Sequence, residues 1–484
     1  MSQPTLKTMP LQYSAPQAPA PAEHSSLLRA VLWLALPVMA EQILHMMVGF
    51  TDTYLANHVK IAAAGASPAV IDAIKRECAA SAAAVGTIQY FLWFIGLVVG
   101  SIGAGSTAII ARAKGARNRK LANSVCGQSV TASMLVGIAL GIILFLGARG
   151  VVGMTALSAP ADTFAFSYLR MLAWSLPFSM VMFIANSCLR GAGDAVTPAI
   201  TMIIVDIVNM VFSFGLTYGW FGLPEMGFNG IAAGTIIAYI AGGVIQFCVL
   251  LAGRGGIRLH LHRLRPHWNT MRRVLRLGAP AAMEGMMAWL ANFAVVIVIN
   301  RIDPSNVMAA AHINAIRIES LSFLLGYAFA AAAATMVGQS LGMKDVHRAT
   351  RSAYLCYAIG GSIMGTFGIL FIFLGVWPAR FLSENPQIVE LTRQCLFITG
   401  FVQIGFAGQM IFGGALRGAG DTFAVMICNL ISILGVRFTG VMFVGLVLHK
   451  GLAAIWIVLA GELFVRGALI YGRFVHGGWK KVVV

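Results

Sequence analysis

The hexapeptide LRGAGD occurs at residues 189–194 and again at residues 416–421, each time near the end of an apolar stretch. The two copies lie 227 residues apart (416 − 189). The same offset lays ARAKGARNRKLA (111–122) over GQSLGMKDVHRA (338–349), matching Gly115 to Gly342 and Ala122 to Ala349, and it places Ala83 and Ala84 on Ala310 and Ala311. The first helix of each half needs an offset of 243 (280 − 37): LALPVMAEQ (34–42) aligns with LGAPAAMEG (277–285), Pro37 with Pro280 and Glu41 with Glu284. The difference of 16 (243 − 227) marks an insertion within KIAAAGASPAVIDAIKRECAAS (60–81), in the first half only. The chain is a duplication.

Of 484 residues, 58% are hydrophobic and 11% charged, with a mean hydropathy of +0.82. Apolar runs of about 20 residues recur, the length that crosses a bilayer's hydrocarbon layer. Charged and Gly/Pro-rich breaks divide the chain into twelve expected helices, at about 27–52, 80–111, 122–147, 163–189, 195–219, 228–252, 272–300, 310–341, 348–375, 388–416, 422–447 and 451–474. The expected fold is an all-α polytopic membrane protein of twelve transmembrane helices in two pseudo-symmetric six-helix lobes. Six spans per half point both halves the same way, so the pseudo-two-fold axis lies along the membrane normal. The lobes are expected at 27–252 and 272–476, joined by a basic linker at 253–271, with a disordered tail at 1–26 and a short tail at 477–484. Ser25 or Ser26 is the expected cap of the first helix.

A formal charge of +17 raises nucleic acid as a partner, but the basic residues lie in short segments between apolar runs, and no soluble domain remains to bind it. RAKGARNRK, RGGIRLHLHRLRPHWNTMRR, GMKDVHRATR and RFVHGGWKK alternate with nearly uncharged GVVGMTALSAPADTF, YGWFGLPEMGFNG, NRIDPSNV and LHKG. The basic set faces the cytoplasm, and both termini with it. The long linker reads either as a positive connector or as an amphipathic interfacial helix. Seven cysteines, nearly all inside apolar runs and without a CxxC pair, form no disulfide framework. No GKS/T loop, HExxH or GxSxG occurs, so the sequence supports neither an ATP-driven nor an enzymatic reading.

LRGAGDAVTP and LRGAGDTFAV after the fourth span of each half, PVMAEQILHMMVGFTDTYLANHV in span one, RIESLSFLLGYAFAAAAATMVGQSLG in span eight and RGALIYGRFVHGGWKK at the end resemble the multidrug and toxic-compound extrusion family. The resemblance covers roughly residues 27–481. It implies a V-shaped pair of lobes in a bacterial inner membrane, exporting amphipathic, often cationic organic compounds in exchange for protons or sodium.

Acids inside spans carry the chemistry, because a mid-membrane carboxylate costs about 2.5–3.5 kcal/mol and persists where it meets a cavity, partner or ion. Glu41, His45 and Asp52 fall at i, i+4 and i+11 and share one helix face. Pro37 removes a backbone hydrogen bond just before them and is the expected kink of helix one. Asp206 lies deep in span five, with Asn209 one turn along on the same face. By resemblance, Asp52 stands at the family's helix-one aspartate, and Asn209 at the place where the proton-coupled branch carries a span-five aspartate. The sodium-coupled branch's second-lobe acids would fall on Ala288 and Phe406, neither of them acidic.

Asp52, Asp206 and Asn209 are therefore the expected cation-coupling residues, with Glu41, His45, Glu284 and Glu319 as possible substrate or cation contacts. Glu284 is expected to pair with Arg317 or Arg437, and Glu462 with Arg466. GTIQYFLWF (86–94) and ILHMMVGF (43–50) are candidate cavity wall, their Met and aromatic content suiting varied ligands. The LRGAGD copies read as cytoplasmic turns: arginines facing the anionic leaflet, Gly191 and Gly193 allowing reversal, Asp194 and Asp421 capping the next helix. The expected function is proton-coupled antiport, sodium being less favoured, by a monomer without metal or other cofactor. Partners are small organic cations and membrane lipid. The rivals are a lipid-linked oligosaccharide flippase and a non-transporting membrane scaffold.

Overall fold

The computed structural model describes residues 24–60, 67–155 and 157–482, excluding the side chains of residues 24–26, 90, 93, 94 and 263. Of the expected tail at 1–26, residues 1–23 lie outside the described residues, as do part of the insertion and the side chains of Tyr90, Trp93 and Phe94 in the GTIQYFLWF wall; α1 already includes residues 24–26, so Ser25 and Ser26 lie inside the helix rather than capping it. Twelve spans follow: α1 (His24–Asn57), α2 (Pro68–Gly115), α3 (Arg119–Gly153), α4 (Ala161–Ala192), α5 (Val196–Tyr218), α6 (Phe228–Ala252), α7 (Trp268–Ile302), α8 (Val307–Gly342), α9 (Val346–Leu374), α10 (Pro386–Gly400 and Gln403–Gly418), α11 (Thr422–Val447) and α12 (Leu452–His476). The two pieces of α10 are bent by 59°.

Lipid offers no hydrogen bonds, so each apolar run closes its own backbone as a helix. Polar residues mark the boundaries. Asn118 accepts from the Leu121 amide at the start of α3, and Asp345, its equivalent at offset 227, accepts from the Arg348 amide at the start of α9. Helix α2 begins at Pro68 rather than near residue 80: the described end of the insertion is Ala-rich, opens on a proline at the first helical position, and simply extends the helix. The linker is a connector and not an interfacial helix. It makes two short 3-10 turns: Arg254–Gly256, where Gly253, Gly255 and Gly256 sit at φ +84°, +69° and +74°, and Leu261–Leu264. Residues 477–482 are no free tail: Trp479 is fully buried and the Val482 carbonyl accepts from Arg112 at 2.7 Å.

Within the first lobe α1 packs on α5, α5 on α6, and α4 on α2, α3 and α6; in the second, α8 packs on α9 and α10, α10 on α9 and α12, and α7 on α11. The lobes meet through α2 with α7, α2 with α8, and α1 with α8. Two apolar cores at the basic end mix the lobes: Leu27, Val31 and Val38 of α1 join Ala333 and Val337 of α8, and Ile102 of α2 joins Val274 of α7. At the opposite end the cores are separate, one around Leu55, Ile88 and Tyr168, the other around Val298, Ala315 and Trp456. The lobes are thus fused at the basic end and split at the opposite end, expected to be the outer one, which makes the V.

Repeated glycines make that fusion possible. A Cβ on Gly115 of α2 would overlap the Gln339 carbonyl of α8, and one on Gly342 of α8 would overlap the Arg112 carbonyl of α2. These contacts are equivalents across the pseudo-axis, so the helices cross at backbone contact.

LRGAGD is the joint that holds spans one, two and four of each lobe. Its arginines do not face the leaflet. Arg190 donates to Glu41 at 2.6 Å and Arg417 to Glu284 at 2.6 Å. A Cβ on Gly191 would meet the Thr107 carbonyl at 2.9 Å, and one on Gly418 would overlap Ala334. The reversal falls on Gly193 and Gly420, at φ +94° and +90°. Asp194 accepts from the Thr197 amide as a cap at 3.0 Å, whereas Asp421 instead accepts from Arg473 of α12 at 2.8 Å.

Candidate cation-coupling site

The acids of α1 all turn into the first lobe, at two depths. Glu41 is 3% exposed and bound by Arg190 and by the Asn186 amide at 3.0 Å. Its charge is already met by a protein cation, so it is a strut between α1 and α4 rather than an open contact. Glu284 is likewise occupied, by Arg417 and not by Arg317 or Arg437. Pro37 and Pro280 lie inside their helices one turn before these glutamates.

Eleven residues beyond Glu41, about 16 Å along the helix, Asp52 sits in the outer half of the lobe, 3% exposed. Tyr168 of α4 donates its hydroxyl to Oδ2 at 2.7 Å, and the Thr235 hydroxyl of α6 lies 3.0 Å from both carboxylate oxygens. Asn209 of α5 donates its amide to the Thr235 oxygen at 3.0 Å and to Ser213 at 3.2 Å. One carboxylate thus ties α1, α4, α5 and α6 together through neutral donors. No cation pairs with it among the described residues. Asp52 is no helix cap: it lies inside α1, five residues before Asn57.

Asp206 shares the lobe but not the network. It is 9% exposed, and neither carboxylate oxygen has a partner among the described residues; the Asn209 carbonyl oxygen and His45 Nδ1 are buried and unpartnered too. Tyr239 of α6 lies within electrostatic range of both Asp52 and Asp206. His45 sets its ring edge-on to Phe183, 5.2 Å between centroids. Glu319 is in the other lobe, where it accepts from Thr399 at 2.5 Å and Gln403 at 3.4 Å, residues on either side of the α10 bend.

Sequence reasoning missed Tyr168 and Thr235. A tyrosine or threonine in an apolar helix carries no spacing signal. The one pointer was the repeat, which sets Thr235 opposite Glu462 (235 + 227).

Twelve spans in two pseudo-symmetric lobes, fused at one end and open at the other, define a multi-pass membrane transporter. The MatE family model matches residues 79–214 and 280–443, and the chain belongs to that family. It is 28% identical, over 94% of each chain, to the probable multidrug resistance protein NorM of Thermotoga maritima. It is 26% identical to the probable multidrug resistance protein YoeA of Bacillus subtilis, over 83% of this chain and 87% of that one. In fold it resembles a MOP superfamily transporter from Pyrococcus furiosus, with TM-score 0.83 at 19% identity, covering 95% of this chain and 99% of the other. A multidrug resistance MATE transporter solved in an outward-facing conformation superimposes with TM-score 0.79 at 19% identity, again over 95% and 99%.

Proposed function

We propose that the protein is a multidrug efflux antiporter that expels amphipathic, often cationic organic compounds in exchange for protons, by alternating access of the cleft between its lobes. The relatives named for multidrug resistance supply the cargo class. The observation that carries the coupling is the Asp52 carboxylate, enclosed by Tyr168 and Thr235 with no protein cation to neutralise it among the described residues. An ionised acid in such surroundings is expensive, and a proton or a bound cation removes that cost.

Asp206 supports protons over sodium. A sodium ion wants several oxygen ligands, yet both Asp206 oxygens stand apart from the Asp52 cluster without a partner among the described residues. A proton needs only the one carboxyl group. When Asp52 gains a proton its accepting capacity falls, and the ties from Tyr168 and Thr235 to α1 loosen together. That gives proton binding a mechanical consequence on the helix that also contacts α8 of the other lobe.

The test is flux of a fluorescent organic cation in proteoliposomes under proton and sodium gradients imposed separately. A proton gradient alone should drive wild-type flux, and Asp52→Asn should abolish the gradient dependence. Unchanged export by Asp52→Asn removes Asp52 from the mechanism, and drive by sodium alone overturns the proton assignment.

A further inference from the structure

Helix α8 runs unbroken from Val307 to Gly342. Near the basic end one face of it touches the first lobe: Thr335 donates to the Arg190 carbonyl at 3.0 Å, Gln339 donates to the Gly191 carbonyl at 3.2 Å, and Gly338 packs on Ala111. Eighteen residues make five turns of an α-helix, so the residues 18 positions earlier, Arg317, Leu321 and Ser320, continue that face toward the outer end. The opposite face is committed to the second lobe, where His312 accepts from Trp456 and Ser322 donates to Gln403. The lobes share no core in the outer half, so the face bearing Arg317 borders the open cleft.

Arg317 is exposed there and carries no ion pair or hydrogen bond through its guanidinium among the described residues. Ten residues into α8 (317 − 307), it lies about 15 Å from the helix start, a depth at which a guanidinium facing lipid would be costly. Glu319 does not serve it: two positions on, that side chain turns away to Thr399. Its neighbours one turn either side, Ile313 and Leu321, are apolar and 36% and 47% exposed. Asp52 and Asp206 of the first lobe have no cationic partner among the described residues, and Arg317 is a cation on the second lobe's side of the cleft.

We propose that Arg317 is a subsite for the anionic group of an amphipathic substrate, so that the cleft accepts carboxylate-bearing, zwitterionic compounds as well as plain cations. The carboxylate takes a charge-assisted, two-pronged hydrogen bond from the guanidinium, while the apolar body lies along Ile313 and Leu321. This rests on the export reading above and names which substrates that site takes.

The experiment uses two dyes of one skeleton: rhodamine 110, with a free carboxylate, and its methyl ester rhodamine 123, a cation. Binding to the purified protein is read by fluorescence polarisation, and flux in proteoliposomes. Wild type should bind and move both. Arg317→Ala should weaken the carboxylate dye about tenfold, the scale of one charged hydrogen bond, while changing the ester less than about twofold on the same scale. Arg317→Lys should restore part of the difference. The melting temperature of Arg317→Ala confirms a folded protein, with Arg317→Gln in reserve. An equal effect on both dyes, no effect on either, or a wild type that exports the ester and rejects the carboxylate overturns the subsite and leaves the export reading standing. A wild type that binds and moves neither dye under any gradient overturns both.

Discussion

The two lobes have one architecture and opposite chemistry at equivalent positions. At offset 227, Tyr168, Asp206, Asn209, Thr235 and Tyr239 of the first lobe correspond to Cys395, Ile433, Val436, Glu462 and Arg466 of the second; at offset 243, Asp52 corresponds to Val295. Where the first lobe holds a carboxylate on neutral donors, the second holds Glu462, fully buried between Arg437 at 2.8 Å and Arg466 at 2.7 Å, with Ser432 at 2.7 Å. Arg437 also donates to Asn292 of α7 at 2.6 Å. It stands in a π-helical stretch of α11, Ile433–Phe438, whose counterpart in α5 is ordinary α-helix. A π-turn inserts a residue and re-aims the side chains after it. Here it accompanies the arginine that reaches both neighbours. The second lobe has built its cations into the protein; the first lobe sets none beside Asp52 among the described residues, and the proposed exchange uses that place.

The largest effect should come from breaking the compensated cluster. Glu462→Ala leaves two buried guanidinium groups facing each other and should destabilise the protein by about 3–5 kcal/mol, read as a fall in melting temperature in detergent. A melting temperature within a degree of wild type would mean the cluster is not holding the lobe.

Next come the twin struts. The Arg190–Glu41 side chains are 13% and 4% exposed, and the Arg417–Glu284 side chains 24% and 15%. Glu41→Gln should therefore cost about 2–4 kcal/mol and Glu284→Gln about half that, since removing one partner is dearer where water reaches less. Equal losses in urea or thermal titrations would show the lobes to be electrostatically alike after all.

Asp206→Leu should be near neutral, within about 1 kcal/mol, because the carboxyl it removes has no partner among the described residues and its loss ends a desolvation cost. A drop as large as that of Glu462→Ala would reveal a partner for Asp206 and bring the lobes closer in kind.

The smallest effect concerns the loop outside the membrane that opens the second lobe's α8. The Met308 amide and the Ser305 hydroxyl bind Asp303 and hold its carboxyl below the usual carboxylate range. A depressed acid contributes its stability above its unfolded pKa, roughly 3.9, and loses it as pH falls through the lower folded value. Protection of residues 305–310 against amide exchange should therefore decline below about pH 4, and Asp303→Asn should show the lowered protection already at neutral pH. The equivalent first-lobe position is Lys60, paired with Glu77 at 2.7 Å.

The duplication, the twelve spans and the acids worth testing were legible because each leaves a one-dimensional trace: a repeat offset, a run of apolar residues, a charge where charge is costly. The same trace misled at Arg190 and Arg417, which in sequence look like cationic turn residues and in space reach back to Glu41 and Glu284. It also grouped Glu41 and Glu284 as possible contacts and Asp52 and Asp206 as coupling residues. Folding brought a guanidinium to the first two, hydroxyls to the third and, among the described residues, nothing to the fourth.

What the sequence by itself determined is the symmetric scaffold, since hydrophobic length and repeat register act locally along the chain. What tertiary structure decided is which buried charges are compensated, because that depends on partners far apart in the chain, as Arg190 is 149 residues from Glu41, meeting within hydrogen-bond distance. Charge pairing falls off over a few ångströms in ways that no spacing along one helix records.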